Sequence, residues 1–105
     1  MYAKYLQVKQ AKTGLGVFTK LQIPANTAIL EFTGDIIPKD KLSFEMSQVL
    51  QVGADRFIGP SGAVDDYVNH SCEPNCLVHI VGNRAFLYSM YVIPVGAELT
   101  FDYST

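Results

Sequence analysis

Apolar residues in this chain recur mainly at every second position, in short runs broken by Gly, Pro and Asn. Such alternation matches the two faces of a β-strand, and the frequent punctuation leaves little room for long helices. A mostly β domain of short strands and tight turns is therefore expected. At 105 residues the chain has room for a single domain, residues 1–105. A chain of this length buries roughly 60 to 70% of its unfolded surface. With 49% hydrophobic residues it should fold alone.

Tyr2 to Val8 reads as an opening strand, broken by a tight turn at Thr13-Gly14-Leu15-Gly16 before Val17-Phe18-Thr19 resumes it. Two stretches about seventy positions apart echo one another, Ile23-Pro24-Ala25-Asn26-Thr27-Ala28-Ile29 and Ile93-Pro94-Val95-Gly96-Ala97-Glu98-Leu99. In each, Pro suits an early turn position and the Asn or Gly two residues later tolerates positive φ, so each should turn the chain into a strand. The match is too short to indicate a duplication, and independent use of a common turn accounts for it. From Pro38 to Val52 the pattern is mixed: Asp40-Lys41-Leu42 can open a helical turn, and Met46 to Val52 is compatible with a strand. Arg56-Phe57-Ile58 reads as a strand, Gly59-Pro60-Ser61-Gly62 as a loop, and Val64 to Asn69 as one helical turn. Leu77 to Val81 and Arg84 to Tyr91 flank Gly82-Asn83 as a hairpin, and Glu98 to Tyr103 forms the closing strand.

Eight Lys and Arg against ten Asp and Glu, with a pI near 5.5, give no field to steer nucleic acid toward the chain. No window approaches the ~20 apolar residues that cross a bilayer, and Met1-Tyr2-Ala3-Lys4-Tyr5 lacks the apolar region of a signal peptide. A soluble, intracellular protein with no membrane or nucleic-acid partner is expected. Cys72 and Cys76 then read as reduced thiols. A zinc site of their own would have to recruit His70 and His79, so no metal is assigned.

Asn69-His70-Ser71-Cys72-Glu73-Pro74-Asn75-Cys76 cannot be an ordinary core strand, since seven of its eight residues are polar or sulfur-bearing. Its flanks, Tyr67-Val68 and Leu77-Val78, are apolar, which favours a segment threaded through the core with each polar group satisfied. A dense polar segment fixed between apolar walls is typical of a binding site. Cys72 or Cys76 with His70 or His79 could form a nucleophilic pair, although spacing alone says little about such partners. His79 on an alternating strand reads as an ordinary partly buried side chain. Asp65-Asp66 could suggest acid/base chemistry, but adjacent residues point apart, and a helix-start role fits better.

Three features in fixed order, Gly14-Leu15-Gly16, Asn69-His70-Ser71-Cys72-Glu73-Pro74-Asn75 and Glu98-Leu99-Thr100-Phe101-Asp102-Tyr103, closely resemble the SET-domain family of lysine methyltransferases. The resemblance runs from about Lys9 to Tyr103 and is weakest over Pro38 to Val52. It implies a β-clip fold of small curved sheets whose C-terminal segment passes through a loop as a pseudoknot. Threading is rare in proteins and points to a functional constraint. By resemblance, Gly14, Leu15 and Gly16 offer backbone groups to the amino-acid end of S-adenosyl-L-methionine. Asn69 and His70 hold the cofactor largely through backbone groups, with the Asn69 side chain helping. Tyr103 is the catalytic tyrosine and touches the cofactor region, orienting the lysine amine through its hydroxyl. Phe101 stands where the family tunes how many methyl groups are added, and a phenyl there implies di- or trimethylation. Phe32, in Glu31-Phe32-Thr33-Gly34, lines the substrate channel.

Two departures accompany the resemblance. Phe32 stands where a tyrosine is common, and the zinc-binding cysteine-rich segment that follows the final Tyr in many nuclear relatives has no counterpart before Thr105. Cys72 then lacks zinc partners, and a second copy of the chain, the substrate or another element has to complete the channel wall. The compact form is similar to bacterial or viral members, which would place it in the cytoplasm. The expected activity is S-adenosylmethionine-dependent methylation of lysine in a protein substrate, with histone, ribosomal and host proteins all open. The alternative is a degenerate SET fold serving as a binding or assembly module.

Overall fold

Short alternating runs do fold here as short strands. The computed structural model describes residues 1–12, 14–42 and 49–102. In chain order these form a 3-10 turn (Ala3–Tyr5), β1 (Leu6–Ala11), β2 (Gly14–Thr19), β3 (Ala28–Phe32), β4 (Ile36–Pro38), a 3-10 turn (Lys39–Lys41) and β5 (Leu50–Gln51). There follow β6 (Arg56–Ile58), a 3-10 turn (Val64–Tyr67), β7 (Asn69–His70), β8 (Cys76–Val81), β9 (Arg84–Ser89) and β10 (Thr100–Phe101). Among the described residues the strands make four small sheets: β1-β2, β3-β9-β8, β4-β6-β5 and the parallel pair β7-β10. The expected mostly β architecture is thus the observed one.

The two Ile-Pro turns pair with each other. Ile23 and Ile93 exchange both backbone hydrogen bonds, each at 2.9 Å, and both side chains are fully buried. The arrangement continues outward in matched pairs. Asn26 N–H donates to Ser89 O at 2.9 Å while Gly96 N–H donates to Thr19 O at 2.8 Å, and Ser89 N–H reaches Thr27 O as Thr19 N–H reaches Ala97 O. Each turn therefore docks on the strand that precedes the other turn. Asn26 and Gly96 have positive φ, 53° and 86°, the backbone state that lets each turn reach across. Val17 and Leu87, Thr19 and Ser89, and Ile29 and Leu99 stand at the same spacing, and all are buried. The echo in the sequence is thus a local pseudo-twofold around which the core is built.

Several boundaries differ from the sequence expectation. The first strand starts at Leu6, because Tyr2 N–H bonds Ile29 O at 2.8 Å and a 3-10 turn brings the Tyr2 and Tyr5 rings together at 6.3 Å. Gly14-Leu15-Gly16 is not the turn. It pairs in register with β1 from Ala11↔Gly14 to Lys9↔Gly16, so all three residues belong to a strand. The closing strand is shorter than expected because its chain changes partners. Glu98 bridges Phe18 and Leu99 N–H donates to Val17 O, after which Thr100 and Phe101 pair with Asn69 and His70. The helical turn ends at Tyr67 for the same reason, since Asn69 must extend to join β10. The Gly82-Asn83 hairpin, the strand at Arg56–Ile58 and the helical turn beside Asp40 stand as read. Of the strand expected over Met46 to Val52, only Leu50–Gln51 is one, and residues 46–48 lie outside the described residues.

Candidate functional site

The site begins where the final segment crosses three earlier ones. Gly16 on β2 packs against this crossing: a side chain there would overlap the Glu98 carboxylate and lie 3.0 Å from Asn69 Nδ2 and 3.1 Å from Ala11 Cβ. Only glycine lets β2 approach so closely. Asn69 donates both amide hydrogens within the chain, to Leu15 O at 3.0 Å and to Glu98 Oε2 at 2.8 Å. One side chain thereby ties β2, β7 and the final segment together.

Asn75 makes a second clamp. Its Nδ2 donates to Glu98 O at 2.7 Å, while its Oδ1 accepts from Thr100 N–H at 3.0 Å and from the Cys76 thiol at 3.3 Å. The clamp holds β10 from the side opposite Val17, and Ser71 N–H adds a bond to Phe101 O. Of the segment expected to thread the core from Asn69 to Cys76, Asn69, Ser71 and Asn75 are bound to the C-terminal segment, whereas His70, Cys72 and Glu73 are exposed, so it is partly held against the core and partly a surface loop. Neither Asn75 nor Glu98 drew attention in the sequence as a site residue. Their membership of the two motifs was the available signal.

On the other side of β7 and β10 lies a cavity of about 400 Å³. Phe32 and Phe101 line it, both buried, with ring centroids 5.8 Å apart and planes inclined at 60°. Leu50, Ile58 and Val68 supply further apolar wall. The lining is not wholly apolar, because Asp65 and Asp66 contribute to it. Their side chains do not diverge as adjacency suggests, and both sit in the first turn of the 3-10 segment, the helix-start place expected of them, while its N-cap Ala63 has no side-chain bond. Asp65 accepts from Ser61 Oγ–H at 2.6 Å and Thr33 N–H at 3.3 Å, and Asp66 from the N–H groups of Ser61 and Gly62, each at 2.8 Å. The loop Ser61–Gly62 folds over the turn and draws both carboxylates to one place.

A family profile described as SET domain matches residues 14–104. The chain belongs to the SET-domain family. It is similar to the variant-silencing SET domain-containing protein of Plasmodium falciparum, 30% identical over 98% of this chain and 5% of that protein. It is likewise similar to histone-lysine N-methyltransferase NSD3 of Mus musculus, 31% identical over 92% of this chain and 8% of that protein. A third relative is histone-lysine N-methyltransferase ash1 of Drosophila melanogaster, 33% identical over 90% of this chain and 5% of that protein. The chain spans less than a tenth of the length of each of these relatives.

Within this SET domain the residues expected at the site fall into two adjoining groups. Gly14, Leu15 and Gly16 lie on β2 beside Asn69, with His70 next along β7 and exposed. Phe32 and Phe101 share the cavity. Tyr103 lies outside the described residues. The cysteines separate. Cys76 is buried, and burial pushes its thiol up to about 12, which removes it as a nucleophile. Cys72 is exposed, its Sγ 3.6 Å from His70 Nε2, and His70 Nδ1 lies 3.7 Å from Asp102 Oδ1. His79 is exposed rather than partly buried, because it stands on the outer strand β8 with its ring edge-on to Tyr88 at 5.8 Å. Among the described residues no three His, Cys, Asp or Glu side chains gather as a metal site, and no helix is long and apolar enough to cross a membrane.

Proposed function

We propose that this SET domain transfers methyl groups from S-adenosylmethionine to the ε-amine of lysine in a protein substrate. The observation that carries the reading is that one strand pair serves both groups of residues. Asn69 and His70 on β7 adjoin the Gly14–Gly16 strand, and Phe101, their neighbour on β10, lines the cavity. A donor held at the first group and a side chain entering the second would meet across that pair. Two of the relatives are histone-lysine N-methyltransferases, which supports lysine in a histone or another protein as the substrate.

S-adenosylmethionine supplies an electrophilic methyl group when bound, and Gly14, Leu15, Gly16, Asn69 and His70 would hold it. The residues suit such a ligand. Among the described residues, sequence neighbours aside, nothing lies within 4 Å of where a Gly14 side chain would start, which leaves that face free for a ligand to approach. The rest of the chemistry belongs to the cavity. A lysine amine titrates near 10.4 and must lose its proton before it attacks. Phe32, Ile58, Val68 and Phe101 exclude water and align the amine, which is most of what an in-line displacement asks of its enzyme. Phe101 brings no hydroxyl to retain a water or restrain the amine, which favours di- or trimethylation. Tyr103 would orient the amine through its hydroxyl, a role that rests on the motif resemblance.

Calorimetric titration with S-adenosylmethionine tests the reading directly. A folded protein that binds none would remove it and leave the binding-module alternative. With binding established, label should pass from the cofactor to lysine in histone or lysate proteins, and Tyr103→Phe should reduce it strongly. Undiminished turnover in that variant would refute the role of Tyr103.

A further inference from the structure

An aliphatic ammonium entering a purely apolar channel loses its hydration with nothing in return, so such a channel prefers a neutral side chain of equal length. This cavity is differently built. Asp65 is only 7% exposed, yet both of its hydrogen-bond donors, Ser61 Oγ–H and Thr33 N–H, are neutral. Among the described residues none of the ion pairs involves it. A carboxylate in so dry a wall keeps most of its charge unscreened by solvent, and a carboxylate can accept more than two hydrogen bonds. Facing the same space are the rings of Phe32 and Phe101, whose π-faces attract cations when desolvated. Carboxylate and aromatic pair thus favour the same guest.

We propose that Asp65 makes this cavity select a cation, so that it takes the ammonium of lysine and of methylated lysine in preference to a neutral side chain of the same length. The proposal rests on the reading of the cavity as the lysine channel. It adds a specificity residue to that reading and a consequence for repeated transfer. Methylation leaves the nitrogen able to carry positive charge, permanently so in trimethyl-lysine. Each transfer still requires the captured ammonium to give its proton to solvent first, but the mono- or dimethylated product is as well suited to the cavity as the substrate, and the peptide can stay for the next. Asp66 differs from Asp65 in function: both of its oxygens hold backbone N–H groups of the Ser61–Gly62 loop.

The test uses three blocked tripeptides, acetyl-Ala-X-Ala-amide with X as lysine, trimethyl-lysine or norleucine, titrated without S-adenosylmethionine and followed by NMR shifts of Val68 and Ile58. Lysine and trimethyl-lysine should bind at least about tenfold more tightly than norleucine, and the gap should narrow in high salt. By weakening lysine and trimethyl-lysine far more than norleucine, Asp65→Asn should narrow the gap several-fold, to what the Phe32 and Phe101 rings alone supply. Ser61→Ala, which removes a donor to Asp65 and leaves its charge, should preserve it. Norleucine binding as tightly as lysine to the wild-type protein would overturn the proposal, as would a gap undiminished in Asp65→Asn, or no shift in the cavity with any peptide. The wild-type comparison decides even if Asp65→Asn fails to fold. Selectivity without cofactor binding would remove the methyltransferase reading and keep this one, whereas cofactor binding without selectivity would do the reverse.

Discussion

Asn75→Ala should loosen the final segment without unfolding the protein. Asn75 serves three partners: Glu98 O at 2.7 Å, Thr100 N–H at 3.0 Å and the Cys76 thiol at 3.3 Å. Truncation strands all three. A buried group left without its partner costs about 1–3 kcal/mol, and Glu98 and Thr100 are half-buried, so water recovers part; about 2–3 kcal/mol in total follows. A domain of this size has roughly 5–15 kcal/mol of stability, so the variant stays folded. Urea denaturation followed by circular dichroism measures the loss, which should appear as a lower midpoint at unchanged slope. Asn75→Asp sharpens the test. It retains an acceptor for Thr100 N–H but turns an oxygen toward Glu98 O, and should cost at least as much as alanine. A loss below about 0.5 kcal/mol for Asn75→Ala would refute the clamp, since surface substitutions commonly fall within that range. The burial of Leu99 and Phe101 would then suffice to hold the segment.

Gly16→Ala should displace the Glu98 carboxylate and with it Asn69, at a cost of about 1–3 kcal/mol by denaturation and with a larger loss of S-adenosylmethionine affinity by calorimetry. Maleimide labelling of the folded protein near pH 8 should modify the exposed Cys72 and spare the buried Cys76, as mass spectrometry of the digested product would reveal. The Cys76 shift also sets a pH dependence. Its folded value near 12 exceeds the unfolded value of about 8.5, so the native state keeps a proton that the unfolded chain releases. The wild type should therefore lose more stability than Cys76→Ala as pH rises above about 8.5, and the two should run parallel below it. Phe101→Tyr should shift products toward monomethyl-lysine, and an unchanged product ratio by mass spectrometry would remove that assignment.

What could be read from the sequence was whatever a residue's own backbone chemistry decides. Gly82-Asn83 closes a hairpin, and Asn26 and Gly96 take up positive φ, because local conformational preference determines these features wherever the rest of the chain lies. What could not be read depends on a distant partner. Gly14-Leu15-Gly16 looks like a turn until β1 pairs with it and Glu98 and Asn69 crowd Gly16, which makes closeness, not reversal, the reason for glycine. Ile23 and Ile93 look like two uses of one turn until each docks on the strand before the other. Asp65 and Asp66 look divergent until the Ser61–Gly62 loop folds over them. The candidate site consists almost entirely of residues of this second kind: Gly16, Asn69, Asn75, Glu98 and Asp65 each owe their role to a contact more than three positions away. Periodicity and composition cannot see such contacts, whereas a motif can, because its separated parts meet at one place in the fold. Asp65 lies outside all three motifs, and its assignment to the cavity therefore depends on geometry alone, which makes the norleucine comparison the sharpest trial of what the structure adds.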